Sequence, residues 1–213
     1  MDEPLLSPRL QEHLEALVPQ RLPEMQRMEA YAQEHDFPII GPLAGYFCYQ
    51  ISRLIGARKV FELGSGYGYS AAWFAQAVVE NGGGVVHHVV WDEGLSRRAR
   101  KHLDILGFGD VVEYHVSEAI QALENTPGPY DLIFNDINKQ DYPNSLPVIA
   151  KNLRPGGVLI VDNMLWSGRI FDQNDQSPST QGIRALTRMI TQDPGWITTL
   201  VPLHDGLILA FKK

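Results

Sequence analysis

Val60-Phe61-Glu62-Leu63-Gly64-Ser65-Gly66-Tyr67-Gly68-Tyr69-Ser70 joins an apolar, strand-like run to a helix-like run through three glycines at alternate positions. Glycine suits such a junction because it accepts positive φ and lets the backbone approach a ligand with no Cβ in the way. In an α/β protein this turn is where a nucleotide-like ligand sits. The spacing then discriminates between ligands. A dinucleotide fingerprint reads Gly-x-Gly-x-x-Gly and seats a pyrophosphate on the helix N-terminus. Here the order is Glu-x-Gly-x-Gly-x-Gly, and Tyr69 stands where the last glycine would fall. A carboxylate at the strand end repels pyrophosphate and attracts an ammonium. The loop therefore favours S-adenosylmethionine, whose methionyl half carries an ammonium, over NAD; the bland alternative is a glycine-rich connection with no ligand.

The chain around this loop is 213 residues long. That length suits one domain burying about 70% of its surface. It is read as a single unit over 1–213, with a helical cap over 1–58 and the α/β core over 59–213. With 44% hydrophobic and 20% charged residues the composition is that of an ordinary globular protein. No apolar run approaches the roughly 20 residues that span a bilayer. Asp2, Glu3, Pro4 and Pro8 do not follow the basic-then-apolar order of a signal peptide. The expectation is a cytoplasmic protein with no membrane partner. Cys48, the single cysteine, lies among Tyr46, Phe47, Tyr49 and Ile51 and reads as a packed side chain. A net charge of -7 argues against a broad nucleic-acid-binding face, though not against a local basic patch.

Upstream of the loop, Leu10, Leu14, Leu17 and Val18 fall at helical spacing, as do Met25, Met28 and Ala32. Leu43 to Ile55 forms a third amphipathic segment, and Pro19, Pro23 and Pro38 punctuate the three. From Lys59 onward strands and helices alternate, which implies a mostly parallel sheet with right-handed crossovers. The expected strands are Lys59 to Leu63, Val85 to Val90, Val111 to Val116, Leu132 to Asn135 and Val158 to Val161. The expected helices are Tyr69 to Glu80, Gly94 to Leu106, Glu118 to Leu123, Tyr142 to Asn152 and Gln181 to Gln192. Ile197 to Val201 and Leu207 to Phe211 read as a hairpin around Asp205-Gly206. An antiparallel pair closing a parallel sheet is the pattern of the class I, Rossmann-like methyltransferases. The polar stretch Trp166 to Thr180 reads either as a substrate loop or as an inert surface excursion.

Ligands of open α/β sheets bind beyond the carboxyl ends of the strands. The second strand ends Val90-Trp91-Asp92, placing a carboxylate for ribose hydroxyls; the third ends Val116-Ser117-Glu118, beside an adenine. Either acid alternatively caps the helix that follows. The fourth strand ends Asn135-Asp136-Ile137-Asn138-Lys139 and the fifth Val161-Asp162-Asn163. Asp136, Asp162 and Asn163 make an all-oxygen set suited to a hard cation, Mg²⁺ first among the candidates and Ca²⁺ or Mn²⁺ behind it. Lys139 follows Asp136 by about one helical turn. Beside a divalent cation its pKa is lowered by like-charge repulsion, so it can act as general base toward a metal-bound hydroxyl. The alternative is a surface ion pair with Asp136 or Asp141. His87, His88, His102, His115 and His204 are read as structural or surface; His87 and His88 must point to opposite faces of a strand, and His204 in the closing hairpin is the likeliest to touch the site.

Four segments carry a resemblance that covers nearly the whole chain: Phe61-Glu62-Leu63-Gly64 through Gly68-Tyr69-Ser70; Asp136-Ile137-Asn138-Lys139 with Tyr142; Asp162-Asn163-Met164-Leu165-Trp166-Ser167-Gly168; and Asp205-Gly206-Leu207. Through them the chain resembles the cation-dependent O-methyltransferases, the catechol and caffeoyl-coenzyme A family and its small bacterial relatives. The resemblance implies that Asp136, Asp162 and Asn163 bind the metal and that Lys139 assists deprotonation. It implies that Glu62, Gly64 and Ser70 hold the methionyl part of the cofactor, with an acid near Asp92 on the ribose; the expected cofactor site also takes in Gly66, Gly68, Ser117, Glu118 and Asp136. Two departures stand out. The family's ribose acid closes the second strand, where this chain has Val90, and Asn138 replaces the second Asp of the usual Asp-Ala-Asp-Lys. The expected activity is methylation of one of two vicinal hydroxyls on a small aromatic molecule, with Trp166, Phe171, Tyr142 and Tyr46 as candidate walls and a homodimer as the expected assembly. The alternatives are methylation of a hydroxylated base in transfer RNA, with Arg53, Arg58, Lys59, Arg97, Arg98, Arg100 and Lys101 as a basic path, and a non-catalytic cofactor-binding module.

Overall fold

The computed structural model describes residues 7–213; the first six residues of the expected cap lie outside them. Three helices come first, α1 (Pro8–Ala16), α2 (Pro23–Glu34) and α3 (Gly41–Leu54), each with proline in its first turn, where the missing N–H costs no helical hydrogen bond. Then strands and helices alternate: β1 (Lys59–Leu63), α4 (Tyr69–Glu80), β2 (Val85–Val90), α5 (Glu93–Ile105), β3 (Val112–Val116), α6 (Ala119–Asn125), β4 (Tyr130–Asn135), α7 (Tyr142–Asn152), β5 (Leu153–Val161) and α8 (Pro178–Gln192). The chain closes with β6 (Trp196–Val201) and β7 (Leu207–Lys212).

The seven strands run in the order β3-β2-β1-β4-β5-β7-β6. β1 to β5 are parallel, and β7 lies antiparallel between β5 and β6. Alternate strand residues feed two cores. Val60, Val86, Phe134 and Ile160 face α2 to α5, whereas Phe61, Val89, Ile133 and Leu159 face α6 to α8. Burial on both faces explains why β1 and β2 are mainly apolar, broken only by Lys59, Glu62, His87 and His88. Strand order reverses between β1 and β4, so the crevice falls at their carboxyl ends.

Four elements, β1, β2, α4 and α7, have the bounds their sequence patterns imply. The others differ at their ends for local reasons. Val111 belongs to a short 3₁₀ turn instead of β3. β5 starts five residues early because Leu153 pairs with Tyr130 across a register shift, carrying the strand through Pro155 and two glycines. α8 starts at Pro178, the proline signature its expected start at Gln181 overlooked. At the amino-terminal ends of the strands, the Asp131 carboxylate accepts the N–H groups of Arg58 and Lys59, both at 2.9 Å, and the Arg154 guanidinium at 2.7 Å. One side chain thus ties together the starts of β1, β4 and β5. Burial raises the Asp131 pKa, but Arg154 and the two amides outweigh it and hold the carboxyl below its ordinary value. Asp131→Ala should cost about 2 kcal/mol or more in urea unfolding, since it leaves two strand-start amides and a guanidinium unpartnered, while leaving cofactor affinity in the folded protein unchanged. Unaltered stability would show that this clamp does not hold the sheet.

Candidate active site

The glycine loop is shaped by one backbone contact. Gly64 has φ +87°, and a Cβ there would lie 2.4 Å from the carbonyl oxygen of Asp136. Only glycine lets the ends of β1 and β4 come this close. Gly68, φ +92°, opens α4 against α5, where a Cβ would meet that of Ala99 at 2.9 Å. The loop is fastened to β2 in both directions: Ser65 N–H donates to the Val89 carbonyl, and Val89 N–H to the Ser65 hydroxyl. Beside it, Asp136 N–H donates to Leu63 and Asp162 N–H to Asn135, stepping β1, β4 and β5 into one rim.

A cleft of about 870 Å³ opens over this rim, lined by the loop, by the ends of β2 and β3, by residues 136–141, and by Asn163 and Trp166. Gly64, Gly66 and Ser70 face it. Glu62 lies one layer beneath, fully buried, and neither carboxyl oxygen has a hydrogen-bond partner. Burial pushes the Glu62 pKa from 4.5 up to about 7, against the pull of the Ser70 and Ser65 hydroxyls and with a further push from Asp136. A buried carboxyl without partners, under glycines that leave the backbone bare, fits a ligand bearing an ammonium.

At the ribose and adenine end the expectations divide. Ser117 and Glu118 line the cleft, but both Glu118 carboxylate oxygens are engaged by the Ile120 and Gln121 N–H groups at the start of α6. Asp92 is not brought into the cleft. It caps α5, its Oδ1 accepting the Leu95 N–H at 2.7 Å. The wall there is made by Val90 and the exposed Trp91.

At the other end, Asp136, Asn163 and Lys139 share the cleft, with Asp162 buried immediately beside Asn163. Lys139 Nζ donates to Asp136 Oδ1 at 2.6 Å and to the Ile137 carbonyl at 3.2 Å. Burial lifts the Asp136 pKa to about 6; Lys139 opposes the rise and Asp162 adds to it. Asn163 is held at φ +57°, an unusual conformation for a side-chain-bearing residue. The β6–β7 turn imposes it. Met164 and Leu165 N–H groups donate to the Gly206 and Asp205 carbonyls, and the Asp205 carboxylate accepts Ser167 N–H at 2.6 Å and Asn163 Nδ2 at 3.4 Å. His204, as its hairpin position suggested, lies against the site, with Nδ1 3.5 Å from Asp162 Oδ1. Burial pulls its pKa down, but Asp162, Asp205 and Asp136 together raise it above the ordinary value.

The aromatic walls need correction. Trp166 lines the cleft, but Tyr142 is buried behind it, donating its hydroxyl to the Asp162 carbonyl; Phe171 faces solvent, and Tyr46 packs with Tyr49 and Trp73 on the far side of α4. The flat surfaces present are Phe37, Tyr67 and Tyr69, with Trp91 and Trp166. Phe37 precedes Pro38, and that proline-marked break between α2 and α3 was the available signal for it. The 166–180 segment is tied down: Arg184 donates to the carbonyls of Ile170, Asp172 and Asp175, and the Asp175 carboxylate accepts from Ser177, Thr180 and Arg169. The expected basic path is largely engaged as well. Arg53 pairs with Glu80, Arg58 donates to the Gly82 and Gly83 carbonyls, Arg97 pairs with Glu93, and Arg98 and Arg100 lie over the rings of Tyr31 and Tyr114.

A mostly parallel seven-stranded sheet closed by an antiparallel hairpin, with its cleft at the switch point, defines a Rossmann-like S-adenosylmethionine-dependent methyltransferase. The chain belongs to the O-methyltransferase family, whose model matches residues 15–213. A catechol O-methyltransferase of Niastella koreensis is 29% identical over 183 residues, 82% of each chain. The catechol O-methyltransferase domain-containing protein 1 of Mus musculus is 31% identical over 168 residues, 76% of this chain and 63% of that protein. Among solved structures, an O-methyltransferase from Bacillus cereus in complex with SAH superposes with a TM-score of 0.87 at 26% identity, covering 96% of this chain and 97% of that one. TomG from Streptomyces achromogenes, involved in tomaymycin synthesis and solved with SAM, gives 0.86 at 25% identity over 96% of each chain. The protein is an S-adenosylmethionine-dependent O-methyltransferase.

The buried Glu62 carboxyl carries a testable sign. With a folded pKa near 7 and an ordinary value of 4.5, only the folded state keeps the proton between those limits. Stability of the cofactor-free protein should therefore fall as pH rises through that window and level off above it, by at most roughly 3 kcal/mol from this group. Urea unfolding of Glu62→Gln should show a smaller fall and greater stability than the parent above pH 7. A variant less stable than the parent on both sides of the window would contradict the assignment.

Proposed function

We propose that this O-methyltransferase acts on one of two vicinal hydroxyls of a small aromatic molecule, with a divalent cation held by Asp136, Asp162 and Asn163. The observation that carries the reading is the shared cleft: oxygen donors from the ends of β4 and β5 and the Lys139 ammonium open onto the same space as the glycine loop, with the Trp166 indole alongside. The donor set is oxygen only, as Mg²⁺ or Ca²⁺ requires. The name of the Niastella relative points the same way.

In this reading Glu62 takes the methionyl ammonium, and Ser70 and the bare backbone of Gly64 and Gly66 seat the rest of that moiety. When bound, the cation lowers the pKa of a chelated hydroxyl. Lys139 Nζ, an ammonium while paired with Asp136, would act as its neutral amine once it has given up a proton, and then receive the proton of the reacting hydroxyl. Asn163 and Asp162 are oriented by the β6–β7 turn, so donor positions do not depend on a mobile loop. Trp166 and Tyr69 restrict a flat acceptor to one plane, and alignment of oxygen, methyl and sulfur supplies much of the rate. The transfer RNA alternative has less support, because five of its basic residues are already engaged.

Methyl transfer from labelled cofactor to catechols, coenzyme A esters and bulk transfer RNA, with and without chelator, tests the reading. Catechol should be methylated in a chelator-sensitive way. Asp162→Ala should reduce that turnover about a hundredfold or more while leaving cofactor binding largely intact; catechol methylation undiminished by Asp162→Ala in Mg²⁺ would remove the metal assignment. Lys139→Ala should lower kcat by about 10²- to 10⁴-fold, and an unchanged kcat would remove Lys139 as base.

A further inference from the structure

His87, Glu113 and His115 lie outside the cleft and have no part in the chemistry above. His87 is in β2 and the other two are in β3; the parallel register sets His87 beside Glu113 and Val89 beside His115, so all three side chains emerge on the face covered by α6. His87 Nδ1 is 3.0 Å from His115 Nε2 and 3.4 Å from Glu113 Oε2. One ligand atom from each residue falls within 4.8 Å of the other two, and among the described residues no other trio of His, Cys, Asp or Glu does so. Tetrahedral ligands at 2.0–2.1 Å from a zinc ion stand about 3.4 Å apart. The two separations at His87 Nδ1, 3.0 and 3.4 Å, approach that spacing, and the third lies within 4.8 Å.

We propose that His87, His115 and Glu113 form a binding site for a borderline divalent metal of the Zn²⁺ class, distinct from the hard-cation position in the cleft, that staples edge strand β3 to β2. A second feature supports it. The His87 side chain is 96% buried, stacked on Phe61 at 5.4 Å and edge-on to Tyr130 at 5.5 Å, so its ring is held with Nδ1 toward the other two ligands. Its Nε2 has no hydrogen-bond partner, so the polar contacts of this buried ring lie on its Nδ1 edge, toward His115 and Glu113. Glu113 is exposed, leaving an entry path and a fourth position for water. Both imidazoles are ready ligands at neutral pH. Burial, with His115 and Lys59, pulls the His87 pKa down to about 4, and burial lowers that of His115 against the opposing pull of Glu113. β3 pairs only with β2, and its carboxyl end carries Ser117 and Glu118 into the cleft. The staple stiffens that wall of the cofactor site.

The test is equilibrium dialysis of the untagged, full-length protein against Zn²⁺ in excess Mg²⁺, added to compete for the cleft carboxylates of the proposed function, with Co²⁺ substitution as the spectroscopic readout. One Zn²⁺ per chain should be retained, and Co²⁺ should give the intense visible absorption of a tetrahedral site. His115→Ala and Glu113→Gln, both at partly exposed positions, should each weaken Zn²⁺ binding at least about tenfold, whereas Asp162→Ala should leave it unchanged. His115→Ala should also abolish the Zn²⁺-induced rise in Tm. No stoichiometric Zn²⁺ in excess Mg²⁺, or binding lost in Asp162→Ala and kept in His115→Ala, overturns the proposal. The result is independent of the acceptor reading, since Mg²⁺-dependent catechol methylation should survive in His115→Ala.

Discussion

The contact between Gly64 and the Asp136 carbonyl is the constraint on which the rest of the site depends. It is possible only because residue 64 has no Cβ, and it brings the cofactor loop after β1 against the loop after β4. Leu63 and Asp136 are locked by a backbone hydrogen bond across the same junction. The strand order reverses here, and the crevice that reversal creates is the cleft. The closeness has a cost. It sets Asp136 close enough to the buried Glu62 to push the Glu62 pKa further up, while Asp136 itself is raised by burial and by Asp162. Both carboxyls are raised above their usual range. In the proposed function one is relieved by an ammonium and the other by a cation.

The two ends of the cleft are supported differently. The cofactor end rests on backbone, with glycines at positive φ and the Ser65–Val89 pair of hydrogen bonds. The opposite end rests on a long-range connection, in which the β6–β7 turn at Asp205 and Gly206 grips residues 163–167 and fixes Asn163 in its left-handed conformation. Loop 166–180 is then held by Arg184 and Asp175, so Trp166 behaves as a wall. The closing hairpin thus completes the sheet and also orients the proposed metal donors.

The parts of the molecule written in local pattern were legible. β1, β2, α4 and α7 could be read to the residue, because buried parallel strands are mainly apolar and the glycines mark the turn. The loops carrying Asp136, Lys139, Asp162 and Asn163 follow from strand ends alone. What depended on distant partners was not legible. β5 begins early only because Tyr130 offers Leu153 a partner. For Asp92 the sequence left a ribose ligand and a helix cap both open, and the structure shows the cap. Tyr142 and Tyr46 are aromatic residues whose helix faces turn away from the cleft. His87 and His115 read singly as structural, since their grouping with Glu113 requires the β2–β3 register.

In the proposed function Glu62 is a partly protonated carboxyl beneath the glycine loop that receives the cofactor's ammonium. Calorimetric titration of S-adenosylmethionine into the metal-free enzyme, in buffers of different ionisation enthalpy, measures this directly. The account requires that binding near and below pH 7 release a proton and that affinity weaken as pH falls, approaching tenfold for each pH unit below 7. Affinity independent of pH across that window, with no proton released, would contradict it.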